Sequence, residues 1–409
     1  MRHLELVEHQ TRRGVRLTRA ECAALQTALP GVVLAPARSA TGVFDVTPGS
    51  RVGTVASCST LTVEILPKLP IQNILFLVSY ALDPSAWRND NVDLDCGASL
   101  IEAVVPVFAA HVRRALRHGL LQGYCTEEAT LQTVRGRLRV AEQVRHHHGR
   151  CFPAEMRYDE LTEDILENRL LKAAIARLSR IPLRSPHAAS LVRRLGAPFA
   201  RVTPVQYPAQ HVPVVPFTRL NDQYRPAVDL ARLILRASSP ALGRGDVTGL
   251  GFLMDMNRVF EDFVVIALRE ALGLTCRSFP QGNSGRSLTL DGAGSLPLKP
   301  DLTWWEGDRC AFAGDVKYKQ TEEGKHEDLY QLLAYVTAAD LPGGLLIYAG
   351  GAAGAEDDIV PVMHEIVQAG KTLHVTALDL AGSPQDILAQ INLVARRVRR
   401  LKSEARVAA

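Results

Sequence analysis

Residues 298–335 constrain this chain most, because they set ionisable side chains into an otherwise apolar strand. Ala311-Phe312-Ala313-Gly314 leads into Asp315-Val316-Lys317. Side chains alternate along a strand, so Asp315 and Lys317 share one face. Lys299-Pro300-Asp301 stands upstream, and Asp301 precedes Asp315 by 14 positions, a spacing that fits a hairpin turning at Glu306-Gly307-Asp308. A helix over residues 254–272, with Val259, Phe263, Ile266 and Ala267 facing inward, comes before the hairpin. A helix over 328–338 and a buried strand, Leu345-Leu346-Ile347-Tyr348, follow it. The order helix, strand, strand, helix, strand is that of an α/β core.

A phosphodiester is anionic and resists attack by water, so its hydrolysis needs cations at the phosphate and hydroxide generated near neutral pH. Magnesium takes a few carboxylate oxygens and keeps waters for the reaction. Asp301, Asp315 and the backbone carbonyl of Val316 are the candidate ligands, with Glu261 on the preceding helix as a further one. Lys317 falls beside the metal-bound water. Asp301, Asp315 and Lys317 are therefore the candidate catalytic residues of a magnesium-dependent phosphodiesterase. Taken alone, a Pro-Asp with a downstream Asp-x-Lys also fits a surface turn followed by a strand that ends in charge. Gln331 and Tyr335, at i and i+4, share a face of the next helix; they either support the site or form an ordinary polar pair.

At 409 residues the chain is long for one domain. Residues 1–150 read as a β-rich module with helices, 151–250 as a helical middle and connector region, and 251–409 as the domain carrying the motif. Short strands at 43–46, 52–55 and 61–66 precede helices at 71–82 and about 98–119. Residues 120–158 are polar and basic and read as solvated loop. They hold Arg135-Gly136-Arg137-Leu138-Arg139, which fits an acidic partner and a solvated face about equally. They also hold His146-His147-His148, whose consecutive side chains point apart and do not converge on one ion. Residues 159–178 read as one amphipathic helix with early acids Asp159, Glu160, Glu163 and Asp164. Four prolines in 202–217 mark a connector, a helix follows at about 226–237, and 243–251 is a second break. A last helix, about 384–405, sets Ile387, Ile391, Val394, Val398 and Leu401 in a stripe bordered by Arg396, Arg397, Arg399, Arg400 and Lys402. The basic border suits either DNA phosphates or solvent.

Seven scattered cysteines without a C-x-x-C pair argue against a zinc cluster or a disulfide framework and for a reducing, cytoplasmic setting. No stretch reaches the roughly 20 apolar residues that span a bilayer, so no membrane partner is expected. A net charge of +4 permits a nucleic-acid partner without requiring one. There is no G-x-x-x-x-G-K-[ST] phosphate loop, so any nucleotide motor is supplied in trans.

Lys299-Pro300-Asp301, Gly314-Asp315-Val316-Lys317-Tyr318-Lys319 and the helix from Asp328 through Gln331 to Tyr335 resemble the nuclease domain of the McrC family, PD-(D/E)xK enzymes with the Gln-x-x-x-Tyr helix of RecB-like nucleases. Leu-Thr-Val-Glu-Ile-Leu-Pro-Lys at 61–68, Arg135-Gly136-Arg137, the segment from Tyr158 through Asn168-Arg169-Leu170-Leu171-Lys172-Ala173, and residues 220–235 resemble the same family, so the likeness spans almost the whole chain. It implies an α+β multidomain protein whose C-terminal part is an α/β restriction-endonuclease-like domain. It also implies a Mg2+-dependent cutter of double-stranded DNA in a modification-dependent restriction system. The implied partner is an AAA+ McrB-like GTPase (or ATPase) hexamer, into which the N-terminal part docks and whose hydrolysis it stimulates. Two other readings stay open: a freestanding RecB-like repair nuclease, and a non-cutting adaptor that activates a partner NTPase. On the first reading, removing residues 1–150 leaves a folded but uncoupled nuclease domain.

Overall fold

The structure, a computed structural model, describes all residues except 1, 38–41, 59–60, 83, 85–98, 149, 182, 184, 238–250, 282–287, 320–324, 351–361 and 408–409. It divides into two compact units: Met1–Leu100 together with Pro240–Ala409, and Ile101–Ser239 between them. This division differs from boundaries at 150 and 250. Residues that begin the chain share one unit with the residues that carry the Asp-x-Lys motif.

The first part of the composite unit begins with β1 (Arg2–Val7) and β2 (Arg12–Arg16), then α1 (Arg19–Ala28), which a Thr18/Glu21 capping box starts. β3 (Val33–Pro36), β4 (Val43–Thr47), β5 (Arg51–Cys58), β6 (Leu61–Leu66) and α2 (Ile71–Leu82) follow. Leu4, Leu6, Leu25, Val46, Leu61, Val63 and Ile65 bury together in one apolar cluster. The alternation that suggested strands at 43–66 is thus real, and its inward set closes a core.

The inserted unit holds α3 (Leu100–Ala115, its first residue still in the composite unit), β7 (Gly123–Leu131), β8 (Arg137–Leu138), α4 (Val140–His147) and β9 (Ala154–Thr162), then α5 (Leu166–Leu178), α6 (Pro186–Gly196) and α7 (Arg225–Ala237). Residues 120–158 are therefore not loop: β7, β9 and β8 form an antiparallel sheet. Nor do 159–178 form one helix, because Asp159 to Thr162 end a strand whose exposed and half-buried residues alternate. His146 and His147 lie at the end of α4, and both approach one carboxylate oxygen of Glu155, at 3.4 and 3.1 Å. Adjacent histidines do converge here, on a carboxylate. Arg135 lies 4.2 Å over the Tyr158 ring and Arg139 is 3.1 Å from Glu128, so the arginine run is partly neutralised within its own sheet.

The Asn168-to-Lys172 segment is architecture. Asn168 donates to the carbonyls of Leu121 and Glu163 at 2.9 and 2.8 Å, and Lys172 donates to the carbonyls of Phe199 and Val202. Residues 202–217 form no strand or α-helix, as their prolines require.

The composite unit resumes with β10 (Gly251–Asp255), α8 (Met256–Leu272), β11 (Leu288–Thr289), β12 (Pro297–Leu298), β13 (Leu302–Glu306), β14 (Arg309–Lys317), α9 (His326–Ala338), β15 (Gly343–Gly350), β16 (Val362–Ile366), β17 (Lys371–Asp379) and α10 (Pro384–Val407). Five strands in the order β13-β14-β15-β17-β16 make its main sheet, with β14, β15 and β17 parallel. The helix α9 covers β14, β15 and β17. It lies so close that a Cβ on Gly344 would stand 2.6 Å from Val336.

A second sheet, β1-β6-β5-β10, joins the two parts of this unit: β1 runs parallel to β6, and β10 pairs antiparallel with β5. Gly53 lets the last two strands meet, with φ +126° and no room for a Cβ beside the Phe252 carbonyl. β10 feeds directly into α8, whose N-cap Asp255 also meets the Ser50 hydroxyl at 3.4 Å. α2 packs on α8 through Phe76 and Phe263, ring centroids 5.5 Å apart. Asn73 of α2 donates 2.6 and 3.0 Å hydrogen bonds to the carbonyls of Leu380 and Gly382, between β17 and α10. Residues 251–409 detached from residues 1–82 would lose a sheet neighbour and a helix neighbour at once, which counts against the separability expected from sequence.

Candidate active site

β13 and β14 form the expected hairpin, turning at Gly307 in the left-handed region (φ +60°). Pairing of Leu302 with Gly314 sets Asp301 beside the Asp315 end of β14. The Val316 amide donates to Asp301 Oδ2 at 3.0 Å. Asp315 is 1% exposed, and its Oδ2 is ion-paired with Lys317 Nζ, as two residues on one strand face must be. Beyond that ion pair, neither Asp315 oxygen has a hydrogen-bond partner among the described residues. A carboxylate so deeply buried with a single partner is costly and calls for an explanation.

The electrostatics tie Glu261 to this pair. Burial first, then Asp301 and Asp262, push the Glu261 carboxyl up to about 7. Burial and then Asp301 likewise raise Asp315, against the opposing pull of Lys317. For Lys317 burial works to lower the ammonium, yet Asp315 and Asp301 outweigh it and hold it above its ordinary range. Asp301 thus opposes the charge of both Glu261 and Asp315 beside one lysine, and that repulsion is what a divalent cation relieves.

Among the described residues no three His, Cys, Asp or Glu side chains are arranged to hold one ion. Asp301 and Asp315 therefore stand as a two-carboxylate set, with Glu261 coupled to it by charge and not as a ready third ligand. Such a set fits Mg2+, which is held by one or two carboxylates plus waters and substrate phosphates more often than by an all-protein cage. The all-oxygen donors, and an Asp315 carboxylate with no partner among the described residues but Lys317, fit the same ion.

Gln331 and Tyr335 are a linked pair. Gln331 Nε2 donates to the Tyr335 hydroxyl at 2.5 Å, and that hydroxyl donates to the Lys299 carbonyl at 3.2 Å. α9 thereby pins the segment that enters Asp301. Burial and then Asp315 push the Tyr335 phenol far above its usual range, so it stays a hydrogen-bond donor. Sequence reasoning passed over Asp328 and Tyr348: Asp328 is buried and accepts from Lys319 Nζ at 3.1 Å and from the Tyr348 hydroxyl at 2.7 Å. The available signal was an acid in the first turn of α9, two residues past its start and just ahead of its first apolar residue, Leu329. It also passed over Glu8, whose role needs a fold to see.

The basic border of α10 is largely engaged within the protein. Arg399 donates to the Ala271 carbonyl, Arg400 pairs with Glu404, and Lys402 pairs with Glu306 while lying 4.2 Å over the Trp304 ring. Cys22, Cys125, Cys151, Cys276 and Cys310 are free thiols among the described residues, and no described helix is long and apolar enough to cross a membrane.

A family model described as McrBC 5-methylcytosine restriction system component matches residues 46–349. The Type IV methyl-directed restriction enzyme EcoKMcrBC of Escherichia coli (strain K12) is 22% identical over 306 residues, 69% of this chain and 86% of that protein. A solved half-complex from a tetradecameric assembly of Thermococcus gammatolerans McrB AAA+ hexamers with bound McrC contains a chain that superposes with a TM-score of 0.54. The match is 19% identical and covers 96% of this chain and all of that one, a likeness that establishes the α+β multidomain fold.

Proposed function

We propose that this chain, which belongs to the McrBC 5-methylcytosine restriction system component family, is the DNA-cutting subunit of such a system, a Mg2+-dependent endonuclease acting on double-stranded DNA in the cytoplasm. The observation that carries the reading is Asp315: a carboxylate 1% exposed, beside Asp301, with no hydrogen-bond partner among the described residues beyond its ion pair to Lys317. Asp301, Asp315 and the Val316 carbonyl are the groups that would hold Mg2+, which when bound neutralises phosphate charge and makes water a better nucleophile near neutral pH. Lys317 keeps a positive charge at that place and stabilises negative charge developing on the phosphate oxygens. Tyr335 holds the Lys299 segment, and with it Asp301, in register. The burial of Asp315 excludes competing water and strengthens each of these interactions.

The partner follows from the family and from the assembly of the Thermococcus protein. This chain docks on an AAA+ McrB-like GTPase or ATPase and stimulates it, and that partner supplies the nucleotide hydrolysis. With the partner, nucleotide and Mg2+ present, the wild-type chain is expected to cleave methylated duplex DNA. Lys317→Ala is expected to lose cleavage and still stimulate nucleotide hydrolysis. A wild-type chain that stimulates the partner but never cuts would make it an adaptor, and loss of both activities in the variant would contradict a separate cutting site.

A further inference from the structure

Glu8 is the most deeply buried acid that this mechanism leaves unused. It is 0% exposed and continues the parallel pairing of β1 by one residue, its amide donating to the Leu66 carbonyl at 3.0 Å. One carboxylate oxygen, Oε1, receives two hydrogen bonds: from the Lys68 amide at 2.7 Å and from the Tyr318 hydroxyl at 2.8 Å. The other, Oε2, has no partner among the described residues. An acid buried at that cost is poor value as a simple core residue, since an apolar side chain of like size would pack there without desolvation.

What Glu8 holds is specific. Tyr318 follows Lys317 directly, one residue past the end of β14, and packs on α8. Its ring rests 6.0 Å from that of Phe260, the residue before Glu261. A bond from Glu8 to Tyr318, 310 positions away, therefore fixes the end of the strand that presents Lys317. It also braces the helix turn that presents Glu261. The Lys68 amide sits in the Pro67-Lys68 turn after β6, so the brace is anchored in the N-terminal sheet.

We propose that Glu8 and Tyr318 form a positioning clamp, by which the N-terminal sheet holds the Lys317 end of β14 in its cutting geometry. The clamp rests on the nuclease reading for its consequence, and on the two hydrogen bonds of Glu8 for its existence. Tyr318 spends its hydroxyl on Glu8 and its ring on Phe260, so the two are positioning residues and not catalytic ones.

The full chain with its AAA+ partner provides the test, in three variants. Tyr318→Phe removes one hydroxyl and keeps the ring on Phe260. Glu8→Leu removes both acceptors, and Glu8→Gln keeps an Oε1 that accepts both bonds. Tyr318→Phe and Glu8→Leu are each expected to lower kcat for DNA cleavage about tenfold, with KM and stimulation of the partner unchanged. Glu8→Gln should restore kcat, and the Glu8→Leu/Tyr318→Phe double variant should be no slower than either single one. Hydrogen exchange supplies a readout independent of cutting: amides of residues 314–319 should exchange faster in Tyr318→Phe, while those of β17 stay protected. Multiplying effects in the double variant, or wild-type kcat and exchange in Tyr318→Phe, would overturn the clamp. Faster exchange in Tyr318→Phe with no cutting by the wild-type chain would instead sink the nuclease reading and leave the clamp standing. If Glu8→Leu does not fold, Tyr318→Phe and Glu8→Gln still decide the matter.

Discussion

Asp164 in the inserted unit and Asp315 in the composite unit are two carboxylates treated in opposite ways. Asp164 accepts two parallel bonds from Arg169, at 2.9 Å each, and further bonds from the Thr203 amide and hydroxyl. Arg169 above all holds its pKa well below the usual range. Asp315 is more deeply buried, has Lys317 as its one cationic partner and is raised by burial and by Asp301. A carboxylate whose acceptors are all used joins segments of chain. One that is buried beside another carboxylate with a single partner keeps a repulsion that a cation relieves. The difference separates architecture from chemistry without any appeal to fold family.

Substitution breaks the comparison most sharply. Asp315→Asn is expected to reduce DNA cleavage by about a thousandfold or more, while Asp164→Asn leaves the cleavage rate of the folded protein at the wild-type level; a gel-based cleavage assay with partner and Mg2+ reads both. Stability should rank the two the other way. Asp164→Asn is expected to cost about 2 kcal/mol in denaturant unfolding, a figure held down because Arg169 is 38% exposed. Asp315→Asn takes a partner from Lys317 but relieves the repulsion from Asp301, which still faces that lysine, and should leave stability within about 1 kcal/mol of wild type.

The two sites also titrate with opposite sign. Asp164 is depressed in the folded state, so its contribution is present above the ordinary carboxylate pKa and is lost as pH falls below about 4. Glu261 and Asp315 are raised, so the native protein keeps protons that the unfolded chain releases. Without metal, their contribution is full below about 4.5 and is lost as pH rises toward 7. Thermal melting between pH 4.5 and 8 in chelator should show this second slope, and it should flatten in a Glu261→Gln/Asp315→Asn variant. The smallest effect expected is that of Gln331→Ala, which removes one donor to the Tyr335 hydroxyl and leaves its bond to Lys299. A several-fold fall in kcat is the predicted reading.

Most of the candidate site was legible because it is local. Asp301, Asp315 and Lys317 lie on one hairpin, where a period of two fixes which side chains meet, and Gln331 and Tyr335 are one helical turn apart. The helices at 71–82, 254–272 and 384–405 were legible for the same reason, since each carries its apolar stripe within itself. What escaped was set by distant pairing. β10 finds β5 some two hundred positions earlier, and nothing in Phe252-Leu253-Met254 names that partner. Glu8 looks like a solvated acid until β1 pairs with β6 and brings it under Tyr318. At 159–164 the charges imitate a helix start, but through Thr162 exposed and half-buried residues alternate as in a strand with one face toward solvent.

Magnesium binding by the intact chain tests the central claim most directly, because it asks whether Asp301 and Asp315 await a cation before any partner or DNA is involved. Titrated with Mg2+ at pH 7.5 and followed by melting temperature, the wild-type protein should gain stability in a saturable way, and Asp164→Asn should gain as much from its lower starting point. Asp315→Asn should gain nothing. Equal stabilisation of Asp315→Asn and wild type would contradict the assignment of Asp315 to the metal and, with it, the cutting site described for this chain.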